Sequence, residues 1–382
     1  MSELKVLHVY RTYFPDPPGG LQEAIRQIAI STSRKDVQSR IYTLSPSPVP
    51  GVIERAEGTV FRARSYMAPA SCDLGGSDAF RGFSRAAQWA DVINYHFPWP
   101  FADVLHFAAR TRKPSVLTYH SDVVGKGVFG RLYGPLMKRM LKSMDSVVAT
   151  SPAYAATSTA LRKHVDPAKL SVIPLGIEEE SYRHARETAK NIDVSTRFGV
   201  EKGRFFLFVG VLRKYKGLDY LVAAARHTDL PVVIAGSGPE LDRIAEMSRA
   251  VPNIRLVGQV DDAEKMALVE TCRAAVLPSH LRSEAFGVFL IEAAMCAKPM
   301  ISCEIGTGTS FVNRAGETGI VVPPQRPDIL GQALQAIAAD DDLAGGFGRA
   351  ARRRYEALFS GNSLGTAYHD LYRALANPSG RR

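Results

Sequence analysis

The chain has 382 residues, 46% hydrophobic and 23% charged, which is enough for two domains with separate cores and too apolar for a disordered protein. Its net charge of +10 draws a surface toward anionic lipid, nucleic acid or polyphosphate, but no recognition-helix, zinc-finger or aromatic-basic RNA-binding pattern accompanies it, which sets nucleic acid aside. The four cysteines, Cys72, Cys272, Cys296 and Cys303, form no C-x-x-C pair and read as reduced and packed; no apolar run approaches the roughly 20 residues of a membrane span, and the opening MSELKVLHVY lacks a signal-peptide pattern, so a cytoplasmic location is expected.

In the first half, β-rich runs at residues 5–10, 39–43, 92–96, 115–119, 146–150 and 171–174 read as buried strands, with Leu21, Ala24, Ile25, Ile28 and Ala29 marking a helix between the first two. After the first strand comes FPDPPGGLQEAIRQIA, where Gly19 and Gly20 open that helix. Glycines there let the backbone approach a ligand and present N–H donors to oxyanions, although a plain tight turn explains them equally. The run at 115–119 delivers His120 to a strand's C-terminal edge, while His8 and His96 at other strand ends read as structural or acceptor-side. Residues 126–142, KGVFGRLYGPLMKRMLK, mix seven large apolar side chains with five cations and no acid. That composition suits either an anionic membrane surface or a core-facing helix with a basic outer face. The charge excess leans the same way, since residues 1–180 hold 22 Lys+Arg against 16 Asp+Glu.

The polar segment 178–196 reads as the connection to a second domain, in which strands at 205–209, 232–235, 254–257, 274–277, 300–302 and 319–322 repeat the plan. Alternation of this kind specifies parallel sheets with helices on both faces, so the fold class is α/β with two Rossmann-like domains: residues 1–182 together with a returning helix at 365–382, and residues 183–364. Ligands bind such sheets beyond the C-terminal strand ends. The loop FVGVLRKYKGL puts Arg213 and Lys216 there, cations able to neutralise a departing diphosphate. AGSGPE places Gly236 in a strand-to-helix turn, and GQVDDAEK contains either a helix cap at Asp261 or Asp262 or a ligand contact.

The most informative stretch is LRSEAFGVFLIEAAMCAKPMIS, which sets Glu284 and Glu292 eight positions apart around a helix expected to begin at about Phe286. Unpaired N–H groups near Gly287 and Val288, with the helix dipole, make a seat for a phosphate. Carboxylates beside a phosphate need other partners, and sugar hydroxyls fit. A ligand with both is implied.

This Glu-x7-Glu arrangement, with S-E-A-F-G before it and E-A-A-M-x-A-x-P around its second acid, resembles the nucleotide-sugar site of the retaining family 4 glycosyltransferases, in which two Rossmann-like domains face one another (the GT-B fold). The resemblance covers most of the chain. It implies that Glu284 touches the donor hexose and Glu292 the ribose, that Phe286, Gly287, Val288 and Gly236 lie along the donor, and that Gly19 and Gly20 face donor phosphates and acceptor. It further implies that His120 sits beside the anomeric carbon and that Lys216 takes the leaving diphosphate; the family's arginine commonly falls where Val211 stands, so Arg213 supplies that charge instead. Asp262 and Lys265 match positions that approach the base in guanosine-using members, which favours a GDP-sugar with a UDP-sugar as the other choice. The whole looks like bacterial mannosyl- or rhamnosyltransferases that build O-antigen polysaccharide on lipid-linked or oligosaccharide acceptors. With no Asp-x-Asp motif at a strand end, neither a metal nor a cofactor is expected. The rival readings are a nucleotide-sugar epimerase of the same architecture and a non-catalytic nucleotide-sugar-binding protein. Attachment to the inner face of the cytoplasmic membrane is a further expectation.

Overall fold

The computed structural model describes residues 3–16, 19–69, 72–123 and 127–377. They form two units: Met1–Gly176 with Gly361–Arg382, and Ile177–Ser360. Sequence had put the divisions at 182/183 and 364/365.

In the first unit the strands are β1 (Leu4–Val9), β2 (Val37–Ser45), β3 (Val52–Arg55), β4 (Gly58–Met67), β5 (Leu74–Gly75), β6 (Val92–Phe97), β7 (Ser115–Tyr119), β8 (Ser146–Ala149) and β9 (Leu170–Val172). Their order is β3-β4-β2-β1-β6-β7-β8-β9, parallel except where β3 and β5 pair antiparallel with β4. The chain order reverses between β1 and β6, which makes that gap the unit's crossover point. On one face Leu4, Val6, Val92, Val116 and Val148 pack against Leu364, Tyr368, Tyr372 and Leu375 of the helix Gly361–Ala376. Buried polar bonds fix its register: Asn94 Nδ2 donates to the Tyr372 hydroxyl at 2.7 Å, and Thr118 Oγ1 lies 3.1 Å from that of Tyr368. Gly365 permits the close crossing over the helix Gly20–Ser33, because a Cβ there would stand 2.3 Å from the Ser31 carbonyl oxygen.

The second unit's strands are β10 (Phe206–Val209), β11 (Val232–Ala235), β12 (Ile254–Gly258), β13 (Ala274–Leu277), β14 (Met300–Cys303) and β15 (Gly319–Val322), all parallel in the order β12-β11-β10-β13-β14-β15. Here the reversal falls between β10 and β13, so the loops leaving these two strands flank the crossover.

Three expectations change. Segment 178–196 is not a linker: Glu179–Tyr182 and Arg183–Ala189 are helical and belong to the second unit, because Tyr182, Ala189 and Val194 are buried there and Arg186 bridges Glu179 and Glu270. The outer strands β3 and β5 and their neighbour β4 escaped a reading tuned to continuous apolar runs, since they are only partly buried. The helix carrying Glu292 starts at Val288, not Phe286, because Gly287 caps it in the left-handed region at φ 84°. Pro17, Pro18, Lys126 and the tail at 378–382 lie outside the described residues. Among the described residues no helix is long and apolar enough to cross a membrane.

Candidate active site

At the second unit's crossover the β10 loop brings Lys216 and the β13 loop brings Glu284. The Lys216 ammonium is bonded to Glu284 Oε2, which also accepts from Ser279 Oγ at 3.1 Å. Both charged side chains are nearly buried, at 13% and 11% exposure. Burial alone would lower the Lys216 pKa, but the adjoining Glu284 carboxylate outweighs it and holds the value above the usual lysine range. The two loops are tied by the His280 N–H donating to the Tyr215 carbonyl at 3.0 Å. From the far side, residues after β14 support the acid: Thr307 Oγ1 donates to the Glu284 carbonyl at 2.8 Å, the Gly308 N–H donates to that of Ala285 at 2.8 Å, and Arg282 reaches the Gly306 carbonyl at 2.7 Å. Glu284 is therefore held by its backbone as well as by its charge.

A second acid–base cluster lies about one turn into the helix Val288–Met295. Glu292 Oε1 accepts from Lys265 Nζ at 2.9 Å and from the Tyr182 hydroxyl at 2.8 Å, and Lys265 also pairs with Asp262 at 3.1 Å while standing 4.8 Å from the centre of the Tyr182 ring. Burial opposes the Lys265 charge, yet Glu292 and then Asp262 drive its pKa upward. Asp262 itself is 78% exposed at the side chain. The helix cap is Asp261, whose carboxylate takes the Glu264 N–H at 2.8 Å while Glu264 returns the bond to the Asp261 N–H. This leaves Asp262 free of the capping duty that sequence had allowed it.

Not every expected residue joins these clusters. Arg213 is exposed and forms no ion pair among the described residues. The Gly236 N–H is committed to the Gly258 carbonyl at 2.7 Å, so it is not a spare donor. Phe286 is buried with its ring edge against Phe359, which leaves its backbone, not its side chain, for a ligand. Gly287 and Val288 do begin the helix as expected in type. Tyr182 and Ser279 were missed, Tyr182 because it lies in the supposed linker.

In the first unit His8, His96 and His120 stand at the ends of β1, β6 and β7 and form one chain of side-chain bonds. His8 Nδ1 is 3.1 Å from His96 Nε2, and His96 Nδ1 is 2.9 Å from His120 Nε2, with successive rings stacked at 5.3 and 5.2 Å. Desolvation by burial lowers all three pKa values, those of His8 and His120 to about 3, so the rings are neutral at pH 7. Gly19 caps the helix Gly20–Ser33 in extended conformation, and nothing would meet a Cβ at Gly20 within 4 Å. The loop between β1 and that helix is anchored by buried Arg62, which bonds to Asp16 Oδ1 at 3.2 Å, to Ser45 Oγ at 2.7 Å and to the Ser47 carbonyl at 2.9 Å. Among the described residues no group of three His, Cys, Asp or Glu could hold a metal ion.

Residues 18–181 match the model of Glycosyltransferase Family 4 and residues 194–354 that of Glycosyl transferases group 1. The chain is 44% identical to a D-rhamnosyltransferase, WbpZ, of Pseudomonas aeruginosa over 94% of this chain and 92% of that one. It is 39% identical to O-antigen chain mannosyltransferase C of Escherichia coli over 97% and 99%. In fold it is similar to HepE of Anabaena in complex with UDP-glucose, at 17% identity and a TM-score of 0.78, covering 97% of this chain and 100% of the other. A sucrose-phosphate synthase of Thermosynechococcus elongatus gives 22% and 0.77, covering 97% and 99%. Two parallel crossovers, one lined by lysine–glutamate pairs, and relatives matched from end to end make this chain a member of the family 4, group 1 glycosyltransferases of GT-B fold.

Proposed function

We propose that the enzyme moves mannose or a deoxymannose such as rhamnose, with retention, from a GDP-sugar to a lipid-linked or oligosaccharide acceptor in bacterial O-antigen synthesis. The names of the two similar proteins support the sugar and the pathway. The observation that carries the mechanism is the pair of buried Lys–Glu bonds at the second crossover. In this reading Lys216, with exposed Arg213, takes up the charge of the departing diphosphate, and Glu284, released from Lys216, accepts hydrogen bonds from hexose hydroxyls. The backbone at Gly287 and Val288 receives a phosphate, and Glu292 and Gly236 lie along the nucleoside. Asp262, with Lys265 beside it, accepts from guanine N1–H and the 2-amino group, of which uracil offers only one equivalent. His120, Gly19 and Gly20 act at the sugar and acceptor. The bond from the anomeric carbon to phosphate breaks as the acceptor oxygen bonds on the same face, and the acceptor proton passes to the leaving phosphate. No divalent ion is required in this scheme, so chelator should leave activity intact.

Ranking GDP-, UDP-, ADP- and dTDP-sugars by protection against thermal unfolding tests the donor, since a ligand at 100 times its Kd adds about 2.7 kcal/mol to the native state. GDP-sugars should protect most; a UDP-sugar ranking first removes the guanine reading. Folded Glu284→Ala and Lys216→Ala enzymes working at the unmodified rate would remove the site.

Association with the inner face of the cytoplasmic membrane is supported by the helix Gly127–Ser143, on which Leu132 is 72% exposed beside exposed Lys138, Arg139 and Lys142, while Tyr133, Met140 and Leu141 are buried. Co-sedimentation with anionic vesicles should fall on charge reversal at Lys138 and Arg139, and unchanged binding removes the idea.

A further inference from the structure

We propose that His8 and His96 are positioning residues that lock His120 into the tautomer with its proton on Nδ1, so that this ring meets its ligand as a hydrogen-bond donor. The proposal rests on the reading of His120 given above, and it comes from the bonding arithmetic of three neutral rings. A neutral imidazole carries one N–H and one lone pair. Each link in the chain needs one of each, so the two links between His8, His96 and His120 must run in the same direction. Either every ring donates toward His8 or every ring donates toward His120.

The far end of the chain decides between them. His8 Nε2 is fully buried and has no hydrogen-bond partner among the described residues. Were the chain to donate toward His8, that atom would carry an N–H with no acceptor, the rarest kind of unmet polar group inside a protein; an unmet lone pair is the more tolerated exception. The proton of His8 therefore sits on Nδ1 and is given to His96 Nε2. His96 in turn holds its only proton on Nδ1 and gives it to His120 Nε2. His120 is left with its proton on Nδ1, the atom that takes no part in the chain. Burial keeps all three rings from acquiring a second proton that would break this order.

The geometry that enforces this is built into the sheet. β1, β6 and β7 are neighbours, His96 pairs with Thr118 and His8 with Asn94, so the three histidines step diagonally across adjacent strands on one face. Thr118 and Asn94, one row earlier on the same face, are bonded to each other at 2.9 Å and to the tyrosines of the returning helix, which fixes the strands relative to one another.

The test is 15N–1H correlation spectroscopy of enzyme labelled at its nine histidine side chains, with His120 assigned from a His120→Asn sample. The expected result is a protonated Nδ1 and an acceptor Nε2 on His120 in the unsubstituted enzyme. His96→Phe keeps a ring but removes both links, so His120 should now populate the Nε2–H form, with kcat down about tenfold and donor KM within about twofold of the unsubstituted enzyme. His96→Gln, which offers an amide donor to His120 and a carbonyl acceptor to His8 on one planar group, should restore most of kcat. A proton on Nε2 of His120 in the unsubstituted enzyme overturns the proposal, and so does an unchanged His120 tautomer in folded His96→Phe. The first measurement needs no substitution and so survives a His96 variant that fails to fold. If His120→Ala turns over normally while the Nδ1–H tautomer is seen, His120 leaves the chemistry and the relay stands.

Discussion

Replacing Lys216 by methionine isolates the pair at the second crossover. Methionine keeps most of the stem's volume and removes the charge, which leaves Glu284, 8% exposed, with the Ser279 hydroxyl as its side-chain donor. Breaking a buried ion pair from one side costs about 3–5 kcal/mol, and the retained hydroxyl places the expectation near about 3 kcal/mol. In a domain of this size each kcal/mol moves the transition by about 2–4 °C, so the second unit should melt roughly 6–12 °C lower. Glu284→Gln strands the lysine in the same way. The double variant strands neither, and its cost should fall short of the summed single costs by about 2 kcal/mol. Both tryptophans, Trp89 and Trp99, belong to the first unit, so calorimetry or far-UV circular dichroism must report this transition. With Lys216 gone, kcat should drop by about 100-fold. Additive stabilities, within about 0.5 kcal/mol, would refute the coupling on which the site is built.

Acid should loosen the first unit early. Burial keeps His8, His96 and His120 neutral in the fold while the unfolded chain protonates them below the ordinary 6.5, so the unfolded state binds more protons and stability falls as pH drops from 6.5 toward about 3. At pH 5 the loss is about 2 kcal/mol per ring, and a tryptophan-reported Tm that stays flat between pH 7 and 5 refutes it. Tyr182→Phe removes one of the donors on Glu292 and should cost about 1.5 kcal/mol and raise donor KM with little change in kcat. Gly287→Ala, at φ 84° with its Cβ 2.9 Å from Leu277 Cδ2, should cost about 1–2 kcal/mol in thermal unfolding and weaken donor binding. Asp261→Ala should lose about 1 kcal/mol with the GDP-over-UDP preference intact, whereas Asp262→Ala should erase the preference and leave stability within about 0.5 kcal/mol.

Periodicity and composition located β7, β11, β13 and β15 residue for residue, because buried parallel strands are continuous apolar runs with abrupt polar ends. The same criterion passed over β4, whose GTVFRARSYM alternates arginine with apolar residues because Arg62 is buried on a carboxylate rather than in hydrocarbon. Glu284, Glu292, Lys216 and Lys265 were legible as charged residues on loops and a helix tip. Their pairing was not. Lys216 and Glu284 are 68 positions apart and meet only because β10 lies beside β13, a fact of strand order that no local pattern encodes. The histidines are a sharper case. Each could be read as lying at or beside the C-terminal end of a strand, but the chain they form depends on β6 lying between β1 and β7 and on a diagonal register.

The two crossovers solve the same electrostatic problem differently. A site for a nucleoside diphosphate needs cations, and cations gathered in a partly dry loop cluster with no ligand would carry an unscreened desolvation cost. In the second unit each buried lysine is matched by a glutamate, so the resting cluster is close to neutral. In the proposed reaction the incoming diphosphate competes for the lysines and the sugar hydroxyls satisfy the released acids, so one exchange of partners serves both halves of the donor. The first unit needs no such exchange. Its three rings are neutral at pH 7, and they supply direction instead: an aligned row of N–H dipoles whose sense is set at His8 and delivered at His120. A fixed dipole can stabilise charge as it develops in a transition state without first being desolvated or recruited, so the role proposed for His120 calls for a neutral chain and not for a protonated histidine.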